Sequence, residues 1–237
     1  MSGAAIPWST IDTVLLDMDG TLLDLRFDNW FWLEVIPRRY AAANGLSVSA
    51  AAALLAPKFR ALRGTMRWYC IDHWSRELGL DIGLIKREDV ARRQVEYLPG
   101  AERFLRALRE RGKRLVLVTN SHPTTLAIKN EQVGLAGYFD ACYSTHAFGV
   151  PKEDPAFWPL LRAKEPFVTE HTLFVDDSVP VLATAAAFGI AWLRAVRRPD
   201  SGLPPQDTGR FVAVDRVADL LDDDPAPAVA PARIPEI

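Results

Sequence analysis

Three apolar runs in this chain each stop on an acid or a hydroxyl residue, and that pattern narrows the fold sharply. Val14-Leu15-Leu16 runs into Asp17-Met18-Asp19-Gly20-Thr21, Leu115-Val116-Leu117-Val118 into Thr119-Asn120-Ser121, and Leu173-Phe174-Val175 into Asp176-Asp177-Ser178. Short apolar runs without polar alternation read as strands buried on both faces, here over 13–17, 114–119 and 172–176. Further strands are expected at 139–144 and 190–193, with an edge strand at 211–215. Helical segments at 101–111, 124–133, 155–164 and 180–188 alternate with them. Strands alternating with helices imply a parallel sheet covered on both faces and joined by right-handed crossovers. The expected fold class is α/β, with a Rossmann-like parallel sheet as its core.

Between residues 27 and 97 the texture differs. Alanine, arginine and leucine dominate, apolar residues recur at three-to-four spacing, and strand-like alternation is lacking. Helices are expected over Trp30 to Asn44, Ser49 to Arg63 and Met66 to Leu78, with Gly45 and Gly79 as stops. The chain therefore divides into a core of 1–24 and 98–221, an all-helical cap of 25–97 inserted after strand one, and a tail of 222–237. The tail is too rich in proline and alanine to pack and is expected to be disordered. The segment from Arg197 to Arg210 reads as a surface loop.

Composition excludes several function classes. Lys+Arg of 28 against Asp+Glu of 30 gives a net charge of -2, so no strong field favours nucleic acid or an acidic membrane. Cys70 and Cys142 are far apart and suggest neither a disulfide framework nor a zinc site; buried free thiols are expected. No basic, apolar leader opens the sequence, and no apolar run approaches the roughly 18 residues of a membrane span. The expectation is a cytoplasmic protein.

The first strand end carries the chemistry. Residues two apart in an extended segment point the same way, so Asp17 and Asp19 can converge, and Gly20 lets the chain turn out of the sheet. Two carboxylates this close call for a cation or a shared proton, and oxygen ligands suit a hard ion such as Mg²⁺. Taken alone, Asp-x-Asp-Gly is also an ordinary acidic turn, and Thr119, Asn120 and Ser121 are ordinary cap residues.

Together the motifs resemble the haloacid dehalogenase-like (HAD) phosphohydrolases. Asp17-Met18-Asp19-Gly20-Thr21 looks like motif I, Thr119-Asn120-Ser121 motif II, Lys152 within Gly149-Val150-Pro151-Lys152-Glu153-Asp154-Pro155 motif III, and Asp176-Asp177 motif IV, in the family's order. The resemblance implies that Asp17 attacks phosphorus to form an aspartyl-phosphate and that Asp19 protonates the leaving group. Thr119 and Asn120 would hold phosphoryl oxygens, and Lys152 would neutralise charge on the nucleophile and the phosphoryl group. Mg²⁺ would sit among Asp17, Asp19 through its backbone carbonyl, Asp176 and Asp177. Displacing halide from carbon needs no proton on the leaving group, whereas expelling an alkoxide from phosphate does, so Asp19 argues for a phosphatase over a dehalogenase.

Wording beyond these motifs is similar to the bacterial GMP/IMP nucleotidase branch: residues 23–32, 68–75 and 78–82, Thr119 to Pro123, and Ser144 to Asp154. It implies a small-molecule phosphate monoester as partner, specifically a purine nucleoside monophosphate cleaved to nucleoside and phosphate. The alternatives are a phosphoglycolate or sugar phosphatase or a sugar-phosphate mutase on the same scaffold, and a noncatalytic binding protein. Polar candidates to meet the substrate are Asp28, Asn29, Arg63, Arg67, Asp72 and His73 in the cap, with His122 and His146 at strand ends. Each could equally be a solvated or intrahelical residue. Trp30, Phe31, Trp32, Trp68, Tyr69 and Trp74 read first as the cap's own core.

Overall fold

The computed structural model describes residues 5–88 and 94–221. The tail expected at 222–237 therefore lies outside the described residues. Strand β1 (Thr13–Leu16) is buried at all four positions and lies at the centre of the sheet. It pairs on one side with β2 (Arg114–Thr119) and on the other with β4 (Thr172–Asp176), with Thr13 opposite both Arg114 and Thr172. β3 (Ala141–Ser144), β5 (Trp192–Val196) and β6 (Ala213–Val214) complete the order β3-β2-β1-β4-β5-β6, and every pairing is parallel. The chain winds outward from β1 through β2 and β3, then returns to β4 on the opposite side. Such a reversal opens a crevice at the carboxyl ends of the strands, where Asp17, Thr119 and Asp176 stand.

The period of two along each strand sorts its side chains between two cores. Val14, Leu16, Leu115, Leu117, Leu173 and Val175 pack on one face with Phe104, Leu105 and Leu108. Those three belong to α7 (Ala101–Glu110). Leu15, Val116, Val118 and Phe174 pack on the other face, against Phe157, Trp158 and Leu161 of α9 (Phe157–Lys164) and Val181, Leu182 and Ala185 of α10 (Val179–Phe188). This is why the strands read as unbroken apolar runs.

The insert is helical and has its own core of Phe31, Ile36, Leu55, Phe59, Ile71, Trp74, Leu78, Ile82 and Ile85. Its first helical run starts earlier than expected: α1 (Arg26–Trp30) passes through a π-helical turn at Phe31–Val35 into α2 (Ile36–Asn44). Helix α3 (Val48–Leu62) is capped by Ser47, whose side chain accepts from the Ala50 N–H. The helix expected from Met66 to Leu78 is instead two, α4 (Met66–Tyr69) and α5 (Ile71–Leu78). Cys70 between them is extended and its sulfur accepts the His73 N–H, so it caps the second helix. Gly45 and Gly79 end their helices in the left-handed conformation, as expected. α6 (Ile82–Arg87) follows.

Three further expectations are corrected. The strand expected at 190–193 lies at Trp192–Val196, because its register is set by pairing with β4, Leu173 opposite Trp192. The cysteines are free, but Cys142 is exposed on edge strand β3 and Cys70 is half-buried. The loop expected at the surface from Arg197 folds back onto the site: Pro199 O accepts from Leu25 N–H, Asp200 Oδ2 accepts from Asn29 Nδ2 at 2.6 Å, and Gln206 Nε2 donates to Asp177 O at 2.7 Å. Among the described residues no single helix is long and apolar enough to cross a membrane.

Candidate active site

Asp17 follows β1 directly, and its N–H donates to Val175 O at 3.1 Å, so the parallel ladder itself holds the residue at the strand end. Gly20 then turns the chain with φ of 87°. A side chain there would be strained, and its Cβ would stand 2.7 Å from Asp177 Oδ2. Glycine thus lets the first loop lie directly against the acid from β4.

Lys152 reaches this cluster from the loop before α9. Its Nζ donates to Asp17 Oδ1 at 2.5 Å, Asp176 Oδ2 at 2.7 Å and Val118 O at 3.0 Å, filling all three ammonium hydrogens. Its placement depends on neighbours: the Lys152 N–H donates to Asn120 Oδ1, its carbonyl accepts from Thr184 Oγ1, and Asn120 Nδ2 donates to Glu153 Oε2. Tyr69, from the cap, donates to the same Glu153 carboxylate. The Asn120 side chain is thus committed to shaping the lysine loop, which leaves its backbone N–H as the group to meet a phosphoryl oxygen. Thr119 is buried, its oxygen accepts from the Ser121 N–H, and its hydroxyl hydrogen stays available.

Carboxylate oxygens of Asp17, Asp176 and Asp177 lie within 4.8 Å of one another. Burial, with Lys152 pulling the other way and Asp176 adding to it, pushes Asp17 up to about 6. Burial, then Asp176 and Asp17, holds Asp177 well above the ordinary carboxylate range. Burial works against the charge on Lys152 too, but Asp17 and Asp176 outweigh it and keep its pKa above that of an ordinary lysine. With all three ionised, the carboxylates exceed the one ammonium by two negative charges, and that excess adds to burial in raising their affinity for protons. A hard divalent cation with oxygen ligands fits that deficit of positive charge and that donor set.

Asp19 turns the other way, into a second ionic cluster that sequence reasoning missed. Its Oδ1 accepts from Lys129 Nζ at 2.5 Å and its Oδ2 from Ser121 Oγ at 2.7 Å. Lys129, on α8 (Pro123–Val133), also pairs with Asp28 of α1, and Asp28 Oδ1 accepts from Lys86 Nζ of α6 at 3.1 Å. Both lysines are about 1% exposed. Burial raises Asp28, yet Lys129 and Lys86 together bring it below the ordinary range. Burial lowers Lys86, against the pull of Asp28. Its Nζ lies 4.2 Å from the centre of the Phe31 ring, an aromatic face that helps to hold a desolvated cation. A signal was present: Lys86 continues the buried face of Ile82 and Ile85, and Lys129 follows buried Ile128 on a face shared with Thr125.

A cavity of about 990 Å³ opens over these groups, lined by Asp17, Asp19, Thr119, Asp176 and Asp177 below and by cap residues above. Of the polar candidates, Asp28, Asn29, Arg63 and His122 line it; Arg67, Asp72, His73 and His146 do not. Among the aromatics, Trp32, Trp68 and Tyr69 face the cavity, while Trp74 is wholly buried.

A parallel α/β sheet carrying an acid cluster at its strand ends beneath a helical cap defines the class of capped phosphoryl- and haloacid-processing hydrolases. Residues 11–189 match the family described as haloacid dehalogenase-like hydrolase, and the chain belongs to that family. It is 44% identical over 218 residues to the GMP/IMP nucleotidase YrfG of Escherichia coli (strain K12), covering 91% of this chain and 96% of that one. It is 33% identical over 127 residues to a phosphoglycolate phosphatase of Cereibacter sphaeroides, covering 52% of this chain and 56% of that one. Among solved structures it is similar in fold to an HAD phosphatase from Thermococcus onnurineus, with a TM-score of 0.73 and 19% identity over 90% of this chain and 97% of that one.

Proposed function

We propose that the protein is a Mg²⁺-dependent 5'-nucleotidase that hydrolyses GMP and IMP to nucleoside and phosphate. The observation that carries this reading is the charge deficit: three carboxylates, those of Asp17 and Asp176 buried and that of Asp177 part-buried, facing one lysine at the floor of an aromatic-lined cavity. The purine preference rests on the 44% identity to the GMP/IMP nucleotidase over nearly the whole of both chains.

The order of the four motifs and the positions of Asp17, Thr119 and Lys152 support the following reaction. Lys152 holds Asp17 Oδ1, so Asp17 Oδ2 attacks phosphorus and the bond to the nucleoside oxygen breaks. Asp19, whose carboxyl burial holds above the ordinary range, would leave its contacts with Lys129 and Ser121 to give that oxygen its proton, then take one from the water that cleaves the aspartyl-phosphate, which restores both acids. The hydroxyl of Thr119 and the backbone N–H of Asn120 donate to phosphoryl oxygens. Asp17, Asp176, Asp177 and the Asp19 carbonyl would hold Mg²⁺, which supplies charge neutralisation between the carboxylates and the phosphoryl group.

Phosphate release from GMP, IMP, AMP, UMP, phosphoglycolate and glucose phosphates, with and without Mg²⁺, tests the proposal. Preference for GMP and IMP that disappears without metal is the expected outcome. Activity concentrated on phosphoglycolate or the sugar phosphates would keep the chemistry and overturn the substrate, and no Mg²⁺-dependent turnover on any ester would overturn both.

A further inference from the structure

The loops after β2 and β3 bring two imidazoles together, and the cap meets them with a thiol. His122, at the start of α8, and His146, in the 3-10 turn after β3, pack edge to face with ring centroids 4.8 Å apart. Cys70, at the break between α4 and α5, stands beside them. One ligand atom from each of Cys70, His122 and His146 falls within 4.8 Å of the other two. Asp72 approaches from the cap side, with Oδ2 3.6 Å from His122 Nε2. None of these residues belongs to the Asp17, Asp176 and Asp177 cluster, and the hydrolytic steps above use none of them.

His146 supplies a second, independent observation. Its Nε2 is buried and has no hydrogen-bond partner among the described residues. A buried ring nitrogen in that position asks for a ligand. Burial, then the neighbouring His122, hold the ring below the ordinary histidine range.

One thiol and two imidazoles select a borderline-soft cation such as zinc and discriminate against Mg²⁺. We propose that Cys70, His122 and His146, with Asp72 as a fourth donor, form a second metal site of the zinc type that joins cap to core at the rim of the cavity. Tetrahedral zinc sets its ligand atoms roughly 3.5 Å apart, so the three atoms draw inward by about an ångström or less. The Cys70 thiol proton leaves to solvent on binding. Coordination through His122 Nε2 puts that ring's proton on Nδ1 and breaks its 3.2 Å contact from the Thr124 N–H, which lies in the first turn of α8 where water can replace it. Since Cys70 and Asp72 come from the cap, and His122 lines the cavity, an occupied site fastens the cap over the substrate and slows turnover.

The test uses the full-length protein in saturating Mg²⁺, titrated with Zn²⁺ by calorimetry and with Co²⁺ by absorption. The expected result is one Zn²⁺ per chain, a rise in Tm, and a thiolate-to-cobalt charge-transfer band. Cys70→Ser keeps a good helix cap but should abolish the band and weaken Zn²⁺ at least about tenfold; His146→Gln should weaken it comparably. Mg²⁺ affinity should be the same in both variants. Equal Zn²⁺ affinity in wild type and in either folded variant would overturn the proposal. So would a wild type without the charge-transfer band, or Zn²⁺ displaced competitively by Mg²⁺, which would put it on the carboxylates.

Discussion

Two buried ionic clusters meet at the end of β1, and they differ in balance. Around Lys152, three carboxylates face one ammonium. Around Lys129, Asp19 and Asp28 face Lys129 and Lys86, so the charges cancel. Both clusters are desolvated, and the cost of burying an ion is repaid only where an opposite charge is close. The balanced cluster satisfies itself and joins α8 of the core to α1 and α6 of the cap. The unbalanced one does not, and its deficit marks where an external cation and an anionic substrate complete the site. Asp19 stands between the two, held by its side chain in the neutral cluster while its backbone runs beside the charged one.

Four experiments break or sharpen this contrast. The largest effect belongs to the nucleophile: Asp17→Asn should lower kcat about a thousandfold or more in a phosphate-release assay, while the protein folds normally. Next, Lys152→Met and Lys129→Met each strand buried carboxylates and should cost about 3–5 kcal/mol in denaturant unfolding. Millimolar Mg²⁺ should restore much of the loss in the Lys152 variant and little in the Lys129 variant. Equal rescue would erase the distinction between the clusters.

The pH dependence of the metal-free protein is the third. Asp17 titrates at about 6 when folded, against 3.8 for the unperturbed group. The folded state therefore binds more protons between those values, and the stability contributed by protonated Asp17 is complete below pH 3.8 and lost as pH rises through about 6. The shift corresponds to about 3 kcal/mol. Unfolding measured across this window should show that fall without divalent cation and a shallower one with Mg²⁺, which binds the ionised form. The smallest effect is at Gly20: Gly20→Ala should destabilise by about 1–3 kcal/mol and weaken Mg²⁺, because φ is 87° and the new methyl would press on Asp177.

Much of the fold was legible because the pattern and the packing share one cause. Alternate residues of β1, β2 and β4 enter different cores, which requires apolar residues at nearly every position. Asp17, Thr119, Lys152 and Asp176 were legible because strand ends and a proline-stiffened loop announce them. Lys86 and Lys129 were not, because a lysine on a helix is ordinarily solvated; only their places beside Ile82, Ile85 and Ile128 hinted otherwise. The break at Cys70 escaped helix periodicity because apolar spacing runs straight through it, and its cause is a sulfur cap. The return of residues 199–206 onto Asn29, Leu25 and Asp177 involves partners more than 20 positions away, beyond any local pattern.

Local chemistry, then, determined the alternating strands and helices, the helical insert after β1 and the acids at the strand ends, since each follows from side-chain period and turn residues within a few positions. Which charges end up sharing a site was decided by tertiary structure. Asp19 lies 110 positions from Lys129, Asp17 135 from Lys152, and Asp28 58 from Lys86. Burial strengthens such long-range pairs and penalises any charge left without one, and burial exists only once the sheet is closed and the cap is seated.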